Sequence, residues 1–187
     1  MEPPDLELLE RIAAGEQEAM DHFYERFYSR LHHFLRSRLR GDSALVEDAL
    51  QEIFLNIWRS AGSFRSQSSV ATWIFQIAHH QASRSLHRQE ASEKRDHPIT
   101  DEHSTMLLKT VSLEDAVIDR ITLMNALCQL SDKHREVLEL VFYYGFAPDE
   151  VANILAVAPG TVKSRISYAR RALLQLLNET SVREMQP

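Results

Sequence analysis

The side chains with the most chemical promise are charged and polar residues at helical spacing, not nucleophiles. Residues 158–171, APGTVKSRISYARR, hold Lys163, Arg165, Arg170 and Arg171 and no acid. On a helix, Thr161, Ser164, Arg165, Tyr168 and Arg171 share an outward face, with Lys163 and Arg170 on its flanks. Val162, Ile166, Ala169 and Leu173 fall on the opposite, apolar side. This arrangement suits DNA, because side chains in the first two turns reach base edges while later guanidiniums and the helix N-terminus hold phosphates. Arg165 has the fork for a bidentate contact to guanine, and Thr161 or Ser164 can contact either base type. A second group has the opposite sign. Glu47, Asp48, Gln51 and Glu52 face outward from a stretch whose other side is Val46, Ala49, Leu50, Ile53, Phe54 and Ile57. An acidic outer face on an otherwise buried helix suits a basic protein partner. Charge alone leaves the bland alternative open in both places, a solvated face on a core helix.

Other chemistries have less support. The chain has no phosphate-cradling Gly-rich loop and no nucleophile-and-base set, so no enzymatic activity is expected. Its 9 histidines include the adjacent pairs His32-His33 and His79-His80. Neighbouring residues on a helix point about 100° apart, and His80 and His87 share a face but lie about 10 Å apart along the axis. With Cys128 as the only cysteine, neither a metal site nor another cofactor is expected. A lone cysteine also excludes an internal disulfide and suits a reducing compartment. The N-terminal MEPPDLELLER is acidic where a secretory signal is basic and then apolar. The longest apolar stretches, such as LELVFYY (138–144), are far shorter than the roughly 20 residues that span a membrane. A soluble cytoplasmic protein without membrane insertion is the expectation.

These groups must be positioned by helices. Of 187 residues only 5 are Gly and 6 Pro, against many Leu, Ala, Glu and Arg, which favours an all-α chain. Apolar periodicity predicts helices over 5–14 (Leu6, Leu9, Ile12, Ala13), 16–40 (Ala19, Phe23, Phe27, Leu31, Phe34, Leu35, Leu39) and 43–60. Gly15 and Gly41-Asp42 are the stops. After the polar loop 62–69, a fourth helix runs over about 69–88, apolar at Val70, Trp73, Ile74, Ile77 and Ala78 and then polar and basic. Trp58 and Trp73 both fall on apolar faces and are expected in the core. Residues 1–90 form a first domain. Residues 91–112 have clustered charges, Pro98 and no apolar period, the composition of a flexible acidic linker. A second helical domain, 113–180, begins with Leu113, Val117, Ile121, Met124, Leu127 and Leu130. Ser131 is the expected N-cap of a helix that buries Val137, Leu138, Val141 and Phe142 and stops near Gly145. Charge follows the same division. Residues 1–88 hold ten basic and twelve acidic groups, 89–115 three and seven, and 116–187 eight of each.

Residues 147–177 complete a helix–turn–helix. A first helix over 148–156 turns Val151, Ile154 and Leu155 inward, Pro148 suits its first position, and the VAPG turn leads into the helix of the opening motif. Ala147 and Ala158 sit where Ser, Thr or Asp would cap the two helices, a loss of about 0.5–2 kcal/mol each. The stretch LCQLSDKHREVLELVFYYGFAPDEVANILAVAPGTVKSRISYARRAL (127–173) resembles region 4 of the extracytoplasmic-function sigma factors of bacterial RNA polymerase. EDALQEIFLNIW (47–58) and SVATWIFQIAHH (69–80) resemble regions 2.2 and 2.3 of that family, in the same order. The likeness covers about 6–90 and 113–178.

The resemblance implies a promoter-reading initiation factor built of a four-helix region 2 and a helix–turn–helix region 4. Glu47, Asp48, Gln51, Glu52 and Asn56 match the motif that docks on the coiled coil of the largest subunit of core RNA polymerase. The loop 62–69 and the polar half of the fourth helix match the part that engages the −10 element and opens the duplex. That role falls on Phe64, Arg65, His79, His80, Arg84 and Arg88, since capture of an unstacked base needs a pocket and basic groups along the strand. The basic helix becomes the −35 reader through Thr161, Lys163, Ser164, Arg165, Tyr168, Arg170 and Arg171. Where family members commonly read IARN…ID, this chain reads IAHHQASR, with His79, His80 and Arg84 replacing Arg, Asn and Asp. The resemblance also implies control by an anti-sigma factor. The competing reading is a helix–turn–helix regulator that binds an operator as a dimer, which leaves EDALQEIFLNIW without a role.

Overall fold

The structure is a computed structural model that describes residues 3–93 and 125–184. The chain divides into two compact units, one on each side of residue 104, and among the described residues both are helical without strands. The first contains α1 (Asp5–Ala13), α2 (Gln17–Arg38), α3 (Ser43–Ser60), a 3₁₀ turn (Ala61–Ser63) and α4 (Val70–Glu93). The second has a helical stretch at 125–129, followed by α5 (Asp132–Leu138), a π-helical turn (Glu139–Tyr143), α6 (Pro148–Ile154) and α7 (Pro159–Glu184).

In the first unit most of the periodic apolar residues meet as the spacing requires. Leu6 and Ala13 of the first helix are exposed, however, and Trp73, expected in the core, is only half-buried, as is Ile77. Leu8, Leu9, Ile12, Phe23, Phe27, Leu31, Phe34, Ile53, Ile57, Ile74 and Phe75 are buried together. Phe23 and Phe27, one turn apart on α2, place their rings 4.6 Å apart, and Phe34 meets Phe75 of α4 edge-on at 5.0 Å. Each such burial contributes about 1.5–3 kcal/mol, and the aromatic seam of α2 joins it to α4. Arg26 of α2 donates to Asp5 Oδ1 and to the Pro3 carbonyl, both at 2.8 Å, which ties α1 to its neighbour. Gly15 turns the chain between α1 and α2 at φ +87°, a conformation that penalises any side chain. Asp42 caps α3 by accepting from the Leu45 amide at 3.1 Å, and the Ser69 hydroxyl accepts from the Thr72 amide at 3.1 Å at the start of α4.

Three further expectations are corrected. α4 continues through Glu93, into the segment expected as linker; it meets no Gly or Pro before Pro98. Trp58 is exposed at 39 %, not core, because it lies on the flank of α3 beyond Phe54 and Ile57. Phe142 is likewise exposed, at 60 %. It lies in the π-helical turn, where the Tyr144 amide reaches back to the Glu139 carbonyl at 3.1 Å. That wider turn swings Phe142 out of the register it would share with Leu138 in a regular helix. The rest of the expected 91–112 linker, together with Leu113, Val117, Ile121 and Met124, lies outside the described residues.

The second unit is smaller. Leu130, Leu138 and Ala169 form a buried cluster against which Leu127, Ala172, Leu173 and Leu176 pack, so α7 is held by α5 along its apolar side. Ser131 occupies the N-cap position of α5, but its carbonyl, not its hydroxyl, accepts from His134 and Arg135. Val151, Ile154, Leu155 and Val162 bury the inner side of the helix–turn–helix, with Ile166 half-buried.

Candidate functional site

α2 and α3 leave an open groove of about 610 Å³ on the outside of the first unit. Its walls are Met20, Tyr24, Leu50, Phe54, Leu55 and Trp58, and its polar margin is Gln17, Asp21, Glu47 and Gln51. Tyr24, Leu55 and Trp58 are 44 %, 47 % and 39 % exposed, an unusual density of large apolar groups for one solvated face. The sequence pattern therefore placed Glu47 and Gln51 correctly on one surface, with Asp48 and Glu52 exposed beside them on α3. Asn56 is exposed one turn after Glu52, at the far edge of the same outward side from Glu47. Sequence reasoning missed the apolar half of this face. The signal was present, since Leu55 follows Gln51 by four residues and Glu52 by three, and so falls between them on the acidic side.

The groove wall is braced by a ladder along α2. Tyr24 meets Phe54 at 4.6 Å and Tyr28 at 5.1 Å, and Tyr28 stacks on His32 at 5.7 Å. The Tyr28 hydroxyl donates to Glu47 Oε1 at 3.3 Å, and His32 Nε2 lies 4.0 Å from the same oxygen. Partial burial first, and the Glu47 charge second, push the Tyr28 phenol above its ordinary value.

On α4 the candidate residues separate. His80 and Arg84 are exposed one turn apart on the outward side, followed by exposed His87 and Arg88. Gln76, one turn before His80, extends this row, which the sequence reading did not include. His79 is half-buried on a different side, with its ring edge-on to His80 at 6.1 Å. Phe64 is half-buried and leans on half-buried Trp73 at 5.4 Å, while Arg65 is exposed in the loop before α4. Phe64 and Trp73 thus form a base from which the α4 row rises.

In the second unit, α7 presents its basic residues as the spacing requires. Lys163, Ser164, Tyr168, Arg170 and Arg171 are exposed; Thr161 and Arg165 are half-buried at the edge of the same face. The Ser164 hydroxyl donates to the Thr161 carbonyl at 2.9 Å, leaving its oxygen as an acceptor. Tyr168, 59 % exposed, stacks on His134 of α5 at 6.4 Å, and the Arg171 guanidinium lies 5.9 Å from the Tyr168 ring. Arg170 turns to the flank, 5.4 Å over the exposed ring of Phe142. The Ala147 cap position is satisfied from the other direction, because Glu150 accepts from the Ala147 amide at 3.0 Å. Ala156, in the turn, takes φ +52°.

Among the described residues there is no group of three His, Cys, Asp or Glu side chains that could hold a metal ion. No described helix is long and apolar enough to cross a membrane.

Comparison with known proteins gives a consistent picture. Residues 23–92 match the family model for Sigma-70 region 2, and residues 120–173 that for Sigma-70, region 4. The chain is 35 % identical over 149 residues to the ECF RNA polymerase sigma factor SigL of Mycobacterium tuberculosis, covering 78 % of this chain and 81 % of that one. It is 33 % identical over 180 residues to SigM of the same organism, covering 94 % and 86 %. Among solved structures it resembles the sigma factor RpoE of Bartonella quintana, determined in complex with the anti-sigma factor NepR. There the TM-score is 0.64 at 28 % identity, over 84 % of this chain and 97 % of that one. The fold also matches CnrH, determined with the cytosolic domain of CnrY, at a TM-score of 0.63 and 22 % identity over 94 % and 97 %.

Proposed function

This chain belongs to the ECF family of RNA polymerase sigma factors, and we propose from that premise how its two units divide the work. Residues 1–90 serve as region 2 and 113–180 as region 4, joined by the acidic segment 91–112. The groove of α2 and α3, with Glu47, Asp48, Gln51, Glu52 and Asn56, seats core RNA polymerase. The α4 row of His80, Arg84 and Arg88, with Arg65 from the preceding loop, meets the −10 strand as it leaves the duplex. Phe64 acts from below through Trp73, and His79 borders the row. α7 reads the −35 element through Thr161, Ser164 and Arg165 and holds phosphates through Lys163, Arg170 and Arg171. The factor acts in the bacterial cytoplasm and is held inactive by an anti-sigma factor, as the complex described for RpoE suggests.

The observation that carries this reading is the segregation of surfaces by sign. An acid-rimmed apolar groove on α2 and α3 fits a protein partner. An acid-free, basic face over the first four turns of α7 fits a polyanion. A DNA-binding regulator needs only the second. The test is transcription with purified core polymerase on promoter libraries. The expected result is weak, unspecific duplex binding by the chain alone and promoter-specific initiation when core is added. Tight binding of a duplex operator by the chain alone, with no initiation at any promoter, would overturn it.

A further inference from the structure

One cluster beside the groove is not accounted for by an acidic face alone. Glu47 is not a free surface carboxylate. It is approached from α2 by the Tyr28 hydroxyl at 3.3 Å and His32 Nε2 at 4.0 Å, and both reach the same oxygen. The two α2 residues stack on each other at 5.7 Å, and Tyr28 continues through Tyr24 to Phe54 in the groove wall. The carboxylate is thus fixed by a ladder that also forms the apolar surface. We propose that Tyr28 is a positioning residue for core-polymerase binding: its hydroxyl holds Glu47, and its ring, stacked between His32 and Tyr24, braces the groove wall.

This rests on the reading of Glu47 as part of the polymerase-facing rim. A hydroxyl donor holds a carboxylate in place without changing its charge, so Tyr28 orients Glu47 toward a basic partner and leaves the attraction intact. His32 stacks on the Tyr28 ring and limits where its hydroxyl can point. The side chains of His32 and Glu47 are 35 % and 51 % exposed, so solvent screens the site and the effect is a modest one.

The test is a titration of the full chain against core polymerase at about pH 7.5 and constant ionic strength, with wild type, Tyr28→Phe, Glu47→Gln and the double variant. Tyr28→Phe keeps the aromatic ladder and should bind about two- to three-fold more weakly. In the Glu47→Gln background the same change should have no further effect, because the carboxylate it positions is gone. If Tyr28→Phe binds as wild type, or weakens Glu47→Gln as much as it weakens wild type, the proposal is overturned. Wild-type affinity for Glu47→Gln would remove Glu47 from the interface, and with it the premise. Weaker binding by Glu47→Gln, with no added loss in the double variant, supports both.

Discussion

Leu55 offers the sharpest test of the groove, because it contributes little to the core. Its side chain sits on the outward side of α3 between acidic neighbours and is 47 % exposed. Complete burial of a leucine is worth about 1.5–3 kcal/mol, so a docked partner that covers the remaining half gains about 1 kcal/mol from it. Leu55→Ala should therefore weaken core-polymerase binding about five-fold. Leu55→Lys should weaken it further, since it directs a cation at a partner selected by acidic groups. Equilibrium titration of labelled protein with core polymerase measures both. Thermal unfolding serves as the control and should move only slightly, because about half of the side chain is already in water. Affinity within two-fold of wild type for both variants would refute the assignment of this groove as the docking surface. Loss of binding accompanied by a large fall in Tm would show that the stated burial is wrong.

Arg165→Ala is expected to relax −35 selectivity by about 1–3 kcal/mol at one base pair while leaving core affinity unchanged, as read by promoter competition. Removing Lys163 or Arg171 should instead weaken all promoters alike and reduce the salt dependence of holoenzyme binding by about one phosphate contact each. Asp42→Ala deletes the α3 cap and should cost about 1 kcal/mol in denaturant unfolding. Ala156→Gly relieves a left-handed residue at φ +52° in the helix–turn–helix and should stabilise the chain by about 1 kcal/mol, a rise of a few degrees in Tm. The Tyr28 phenol, raised by partial burial and by Glu47, should ionise at lower pH in Glu47→Gln. A raised folded value means that its contribution to stability is present below the ordinary value near pH 10 and lost as pH climbs past it. Absorbance of the tyrosinate checks the shift.

Regular helices were the legible part of this chain. The bounds of α3 follow from a cap residue and an unbroken 3.6-residue period, and the start of α7 from a proline and an apolar stripe. Departures occurred where one of those assumptions failed. The period misplaces Phe142 because a π-helical turn inserts extra backbone before it, and nothing in ELVFY announces such a turn. It misplaces Trp58 because an apolar residue on the border of a stripe can close a core or open a groove, and only the neighbouring helix decides which. The groove itself needs Tyr24 and Met20 from α2, residues 27 or more positions before Gln51. Charge patterning found one rim of it and had no means to find the wall. The same limit applies to Tyr168, whose stacking partner His134 comes from another helix.

The formal charge of −6 looks unsuited to a DNA-binding protein until its distribution is considered. Residues 116–187 are balanced at eight charges of each sign, yet four of the basic ones lie on α7 before its first acid, Glu179. Four cations support only a few phosphate contacts, and at physiological salt each counts for less than at low salt. The row on α4 proposed to meet the −10 strand adds only Arg84 and Arg88 as permanent cations. Neither row is strong enough to hold a duplex alone, and the acidic segment 89–115 opposes both. Specific binding then has to come from joining the two rows. If core polymerase fixes their spacing, the second contact becomes intramolecular and multiplies a weak first one by 10²–10⁴ without any new interaction. On this argument the acidity does not compete with promoter recognition. It suppresses binding by the free factor, so that DNA is engaged when the acidic rim of α2 and α3 is already occupied by polymerase.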